Sequence, residues 1–218
     1  MAEAPAFPLD SHPNRRPLSS RATAWAHWLA DGLVRAKVSP NSVSLASLVF
    51  AALGAALLLR GAQPWCLVAA AACVQLRLCC NLLDGMVAIE GRRQTPTGVL
   101  YNELPDRVAD SMLIVALGFA VAASWLGWLG ALAAALTAYI RVLGGSLGFP
   151  QDFRGPLAKP QRMAVLTGAL LIAALELAVF ETRLALLGAA WVIALGSLVT
   201  CVARARAIAA RLHERGAA

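Results

Sequence analysis

The sequence predicts an all-α integral membrane protein of six transmembrane helices preceded by an interfacial amphipathic helix. The chain of 218 residues is 59% hydrophobic and only 14% charged, whereas soluble domains are about half apolar and a quarter charged. Each apolar stretch is close to the roughly 20 residues that a spanning helix needs. The stretches lie at about 42–60, 64–89, 98–121, 124–148, 162–180 and 184–203. This pattern excludes an ordinary soluble fold.

The segments outside the membrane domain divide into two tails and one amphipathic helix. Residues 1–20 are rich in proline and contain no apolar run, so we expect a disordered cytoplasmic tail. Residues 21–37 carry apolar side chains at helical spacing, which is typical of a helix in the membrane interface. A solvated helix packed on the protein fits the same spacing. The side chains that set it are Trp25, Trp28, Leu29 and Leu33. We expect the membrane domain at 38–205 and a basic cytoplasmic tail at 206–218.

Basic residues predict the orientation of the chain. If the N-terminus is cytoplasmic, most of the 19 Lys and Arg residues fall on the inner side, and only Arg60 and Arg183 fall on the outer side. Cytoplasmic loops carry such an excess of positive charge. We therefore expect both termini in the cytoplasm and a bacterial inner membrane as the location. The net charge of +7 is assigned to topology and anionic lipid, and no nucleic-acid partner is expected.

The second and third apolar stretches contain polar residues that spanning helices rarely contain. Helical geometry places them on one face of each span. They are Asn81, Asp84, Gly85 and Ala88 on the second span, and Asn102, Glu103, Asp106 and Asp110 on the third. Charged groups inside a membrane usually mark function, and Mg²⁺ prefers oxygen ligands, so a metal site just inside the cytoplasmic leaflet is favoured. An interhelical polar network that includes Arg107 explains the same residues without a metal.

These residues resemble the signature of the CDP-alcohol phosphotransferases, integral membrane enzymes of phospholipid synthesis. That signature reads D-x2-D-G-x2-A-R-x8-G-x3-D-x3-D, and the chain keeps every spacing from Asn81 to Asp106. Asn81 and Asn102 stand where the signature has carboxylates, and Ile89 stands where it has arginine. The resemblance extends to the segments 39–44, 139–141 and 159–162.

The resemblance implies a metal-dependent reaction. A phosphatidyl group would pass from CDP-diacylglycerol to an alcohol, with release of CMP, and Mg²⁺ or Mn²⁺ would sit on the pyrophosphate. Asp106 would be the general base that deprotonates the alcohol. Glu103 is hypothesised to restore ligand charge that the asparagines remove. The implied metal-site residues are Asn81, Asp84, Asn102, Glu103 and Asp106, and the implied nucleotide- or substrate-binding residues are Asn41, Gly85, Ala88, Arg92, Arg93, Gly98, Arg141, Lys159 and Arg162.

The sequence is compatible with several alternatives. Asn41 follows a proline at a helix start, so it is also a candidate N-cap. An alternative enzymatic hypothesis is that a phospho-alcohol passes from a CDP-alcohol to diacylglycerol. A second rival is a catalytically silent member of the fold that binds lipid or nucleotide, which the two asparagines favour. Membrane lipids are expected partners, and the glycines at 144, 145 and 148 are compatible with a homodimer.

Overall fold

The computed structural model describes residues 23–61, 63–91 and 97–216, and within these ranges the chain forms seven α-helices and no strand. The helices are α1 (Ala24–Arg35), α2 (Pro40–Leu59), α3 (Pro64–Glu90), α4 (Gly98–Ala120), α5 (Ser124–Ser146), α6 (Lys159–Val179) and α7 (Leu184–Gly216). Five of them, α2, α3, α5, α6 and α7, are long and apolar enough to cross a membrane. The predicted all-α membrane class is therefore confirmed.

Helix α4 differs from these five in composition rather than in length. Its 23 residues are enough to span a bilayer, but the segment 103–110 carries Glu103, Asp106, Arg107 and Asp110. These charges leave α4 without the long apolar window that each of the other five helices contains. Pro105 lies inside α4, and the helix continues through it.

Local sequence signals explain where the helices begin. Ser39 is the N-cap of α2, and its side-chain oxygen accepts a hydrogen bond of 3.0 Å from the Ser42 amide. Pro40 occupies the first helical turn, where its missing N–H costs nothing. Asn41 is therefore not the N-cap, and that alternative is wrong because the preceding serine caps the helix.

Helices α2 to α7 close a ring in which each helix packs on two neighbours. The order around the ring is α3, α2, α4, α5, α7, α6 and back to α3. Buried apolar side chains from all six helices form one core, which includes Leu113 and Leu117 of α4 together with Met163, Leu166 and Ile193. Helix α4 thus belongs to the ring although charged residues interrupt its apolar sequence.

Helix α1 packs across α3 outside this ring. Ala26 and Ala30 are fully buried, and they share a small apolar cluster with Leu82, Met86 and Val87. Two tryptophans of α1 stay exposed, Trp28 at 70% and Trp25 at 45%. This division gives α1 one face on the protein and one face with exposed tryptophans.

Helix α7 is longer than its apolar stretch. It continues to Gly216, through the segment predicted as a basic tail. Arg215 lies over the ring of Phe149 at 4.3 Å and donates a hydrogen bond of 3.0 Å to the Leu147 carbonyl. These contacts fasten the end of α7 to the end of α5.

Two glycines let α4 and α5 approach each other closely. A Cβ on Gly127 of α5 would lie 2.9 Å from the Gly118 Cα and 2.9 Å from the Val115 carbonyl oxygen. By contrast, Gly144 faces Ile208 of α7, where a Cβ would meet the isoleucine side chain at 3.1 Å. Gly144 therefore serves packing within the chain, and a homodimer stays a prediction.

We expect Gly127→Ala to destabilise the protein by about 1–3 kcal/mol, because the added methyl group collides with backbone atoms that cannot move aside. Thermal unfolding of the purified protein in detergent measures the change. Gly188→Ala on α7 is the matched control, since a Cβ there meets nothing within 4 Å. Equal unfolding temperatures for the two variants would contradict this account of the α4–α5 contact.

Candidate functional site

A cavity of about 430 Å³ is bordered by every helix except α2. Most of the polar residues singled out in the sequence converge on it, although they are separated by up to 81 positions along the chain, from Asn81 to Arg162. The predicted site residues that line it are Asn81, Asn102, Glu103, Asp106, Arg141, Lys159 and Arg162. The structure thus brings seven of the predicted residues around one space.

Asp106 lies at the centre of the charged groups beside this cavity. It is 6% exposed. Its Oδ1 accepts hydrogen bonds from Arg77 Nη2 at 2.6 Å, from Asn81 Nδ2 at 2.7 Å and from the Lys159 ammonium group, and its Oδ2 accepts one from Arg107. Both carboxylate oxygens are therefore occupied by donors, and three of these donors are cationic.

Arg77 was not predicted as a site residue, and it is fully buried in α3. Besides Asp106 it donates a hydrogen bond of 2.5 Å to Asp110 Oδ1. Arg162 of α6 approaches the other oxygen of Asp110 at 3.4 Å. Two arginines and two aspartates therefore join α3, α4 and α6. The sequence held one signal for Arg77, since it lies four residues before Asn81 and shares its helix face.

Glu103 is paired with Arg141 across the cavity. The arginine Nη2 lies 2.7 Å and 2.8 Å from the two carboxylate oxygens of Glu103. Arg141 also donates to Gln151 Oε1 at 2.6 Å and lies 5.5 Å from the Phe153 ring centroid. In this arrangement the carboxylate of Glu103 is neutralised by a guanidinium group rather than gathered with other carboxylates.

Asp84 lies apart from the cavity lining. It is 4% exposed, and its Oδ2 accepts a hydrogen bond of 2.6 Å from the Ser44 hydroxyl, while its Oδ1 has no hydrogen-bond partner. Four other predicted binding residues are half-buried on α2, α3 and α4 without lining the cavity: Asn41, Gly85, Ala88 and Gly98. Arg92 and Arg93 lie outside the described residues.

Two further polar residues gain a structural explanation that the sequence did not offer. Arg204 of α7 lines the cavity, and it donates to the carbonyl oxygens of Arg154 at 2.9 Å and Thr137 at 2.6 Å. Arg204 directly follows the predicted last span, so its charge was attributed to the excess of basic residues that orients the chain in the membrane. Glu176 accepts a hydrogen bond of 3.1 Å from the Ala185 amide, so it stabilises the start of α7.

The donor atoms present do not fit a two-metal site. Among the residues that the structure describes, no group of three or more His, Cys, Asp or Glu side chains is placed to hold a metal ion. Asn81 and Asn102 supply no charge, and Asp106 has donors on both oxygens. Among the described residues of the predicted metal site, only Asp84 keeps a carboxylate oxygen without a hydrogen-bond partner, and hard divalent cations require several oxygen ligands.

Solved structures with the same architecture come from Mycobacterium tuberculosis phosphatidylinositol phosphate synthase, PgsA1. The structure of that protein with CDP-DAG bound matches with a TM-score of 0.73 and 21% identity, over 85% of this chain and 94% of that one. Its complex with manganese and citrate matches with a TM-score of 0.72 and 21% identity, over 84% and 88% of the two chains.

This chain has the fold of that synthase. A curated relative, the inner membrane protein YnbA of Escherichia coli strain K12, is 28% identical over 134 residues, which cover 61% of this chain and 67% of YnbA. That relative supports the integral membrane location already indicated by the five apolar helices. No protein-family model matches the chain.

We expect Arg77→Met to destabilise the fold by about 3–5 kcal/mol, because it leaves Asp106 and Asp110 buried with less compensation. The unfolding midpoint in detergent measures this effect. Arg154→Ala is the control, since its pair with Asp152 involves an arginine side chain that is 57% exposed and such pairs contribute about 1 kcal/mol or less. A smaller loss for Arg77→Met than for Arg154→Ala would refute the importance of the buried network.

Proposed function

We propose that the chain is a CDP-alcohol phosphotransferase that transfers a phosphatidyl group from CDP-diacylglycerol to an alcohol and releases CMP. One observation carries the proposal: the signature positions Asn81, Asn102 and Asp106 line a single cavity in a chain with the fold of a synthase solved with CDP-DAG bound. The cavity volume lies within the range of small-molecule sites, which is about 300–1,000 Å³.

The proposed arrangement has six spans, with α4 as the third and α1 in the membrane interface. Because α4 completes the helix ring, leaving it outside the membrane would break its packing on both α2 and α5. The excess of basic residues on one side favours cytoplasmic termini. The site, close to the α3–α4 connection, then faces the cytoplasm of a bacterial inner membrane.

The chemistry follows from the charges around Asp106. The alcohol oxygen attacks the lipid-bearing phosphorus, the bond from that phosphorus to the bridging oxygen breaks, and CMP leaves with the electron pair. Asp106 accepts the hydroxyl proton. Lys159, Arg107 and Arg141 line the same cavity, and their charges stabilise the phosphate oxygens during transfer. No step is assigned to Mg²⁺ or Mn²⁺, because the donor set does not fit them.

A second candidate, a silent protein that binds the CDP-lipid without turnover, is favoured by a specific contact. Both oxygens of Asp106 are engaged by donors, so the carboxylate must exchange a partner before it accepts a proton. Binding without transfer does not require Asp106 to accept a proton. Turnover itself separates the two candidates.

Release of CMP by the full chain in lipid nanodiscs tests the transferase proposal. CDP-diacylglycerol is supplied with a panel of polar alcohols, and CDP-alcohols with diacylglycerol are supplied in a parallel arm to test the reversed lipid roles. We expect acceptor-dependent CMP release, and we expect Asp106→Asn to reduce it by about 10²–10⁴-fold, the usual contribution of a general base.

Asp31→Asn is the matched control, because Asp31 lies on the exposed surface of α1. It should retain activity. Binding of CDP-diacylglycerol without CMP release from any acceptor would reject the transferase and support the silent binding protein. Release only from a CDP-alcohol would assign the lipid to the acceptor side.

Reporter fusions test the six-span arrangement in a bacterial host. We expect alkaline phosphatase, which is active only outside the cytoplasm, to be active when fused after Arg183 and inactive when fused after Gly216. A green fluorescent protein should show the opposite pattern. If α4 did not span, both results would be inverted, because each fusion point would then follow one fewer crossing.

A further inference from the structure

We propose that the cavity binds the pyrophosphate of a CDP-linked lipid directly through its own guanidinium and ammonium groups, without a divalent cation. This inference rests on the proposed function and specifies how the same site recognises its anionic substrate.

The charge of the cavity lining has the sign that an anion needs. Its two carboxylates belong to Glu103 and Asp106. The lining also contains five cationic side chains, which are Arg107, Arg141, Lys159, Arg162 and Arg204. A pyrophosphate diester carries two negative charges, so the lining can neutralise it without importing a metal ion.

The contacts of Asp106 show that two of these cations already converge on an oxyanion. Lys159 binds one carboxylate oxygen and Arg107 binds the other. Their side chains are 23% and 25% exposed, whereas Arg77, which binds the same oxygen as Lys159, is fully buried. An entering phosphate can therefore draw Lys159 and Arg107 toward itself while Arg77 and Asn81 continue to hold Asp106.

Unpartnered donors in the lining point to the same ligand. Arg162 is 1% exposed, and its Nε has no hydrogen-bond partner; the Nε of Arg107 is likewise buried without one. Buried N–H groups without acceptors are costly, and charged donors more so. Phosphate oxygens are strong acceptors of the kind that these arginines lack.

Asn81 avoids a charge repulsion beside Asp106 that a metal ion would otherwise have to offset. It donates its Nδ2 to Asp106 at 2.7 Å, and a carboxylate at the same distance would repel Asp106 unless a cation lay between them. With asparagine also at position 102, the four acidic signature positions carry two negative charges instead of four. The cationic lining then takes the place of the metal charge.

Calorimetric titration of the full chain in nanodiscs with CDP-diacylglycerol tests the inference. We expect the affinity in EDTA to lie within about threefold of the affinity in Mn²⁺, which is under 1 kcal/mol. We also mix Mn²⁺ with the protein in the absence of CDP-diacylglycerol. We expect the electron paramagnetic resonance spectrum to stay that of the free ion. Neither measurement depends on a variant that has to fold.

Single substitutions then test which cationic side chains bind the lipid. Lys159→Met should weaken binding in EDTA by about tenfold or more, the loss of one charge-assisted contact. Arg206→Met is the control, because it removes one positive charge from the exposed surface of α7. The double variant Asn81→Asp with Asn102→Asp should bind Mn²⁺ and should make lipid binding depend on it.

The outcomes separate this inference from the proposed function. Binding that EDTA abolishes and Mn²⁺ restores would overturn the inference and leave the transferase proposal standing. Absence of binding in both conditions would overturn both. Metal-independent binding that Lys159→Met leaves unchanged would overturn the role assigned to the cationic lining.

Discussion

The pairing of two buried arginines with two buried aspartates is the constraint on which the rest of the structure depends. Arg77, Asp106, Asp110 and Arg162 are each at most 6% exposed, and they lie on three different helices. Single buried charges in a membrane are very unfavourable, so α3, α4 and α6 can pack only where these groups meet. The rotation of α4 is thereby fixed. Its flanking polar residues turn toward the cavity, and its apolar residues Leu113 and Leu117 turn into the core.

Much of the fold could be predicted from hydropathy, because apolar length decides which segments cross a membrane. Helix α2 runs from Pro40 to Leu59, close to the predicted stretch at 42–60. Hydropathy was less able to predict the helix ends that depend on tertiary contacts. Helix α7 reaches Gly216 because Arg215 packs on Phe149 and on the end of α5, and hydropathy does not report such a contact.

The candidate site could be predicted only as far as helix faces determine it. Asn81 and Asp106 were placed together by spacing, and they form a hydrogen bond of 2.7 Å. The rotation of α3 and α6 relative to α4 decides which cations approach Asp106. That rotation cannot be deduced from a single sequence. Arg77 and Arg204 were therefore missed, and the pairing of Glu103 with Arg141 could not be foreseen.

The occupied state of Asp106 links substrate binding to base chemistry. A carboxylate whose oxygens bind Lys159 and Arg107 is a poor proton acceptor, since the donors stabilise its charge. Under the proposed function, the anionic donor lipid competes for the same cations and draws them away. Asp106 then becomes available only after the CDP-linked lipid is bound. An alcohol that entered first would meet an inactive base, so the same contacts that neutralise the empty cavity impose an order in which the donor precedes the acceptor.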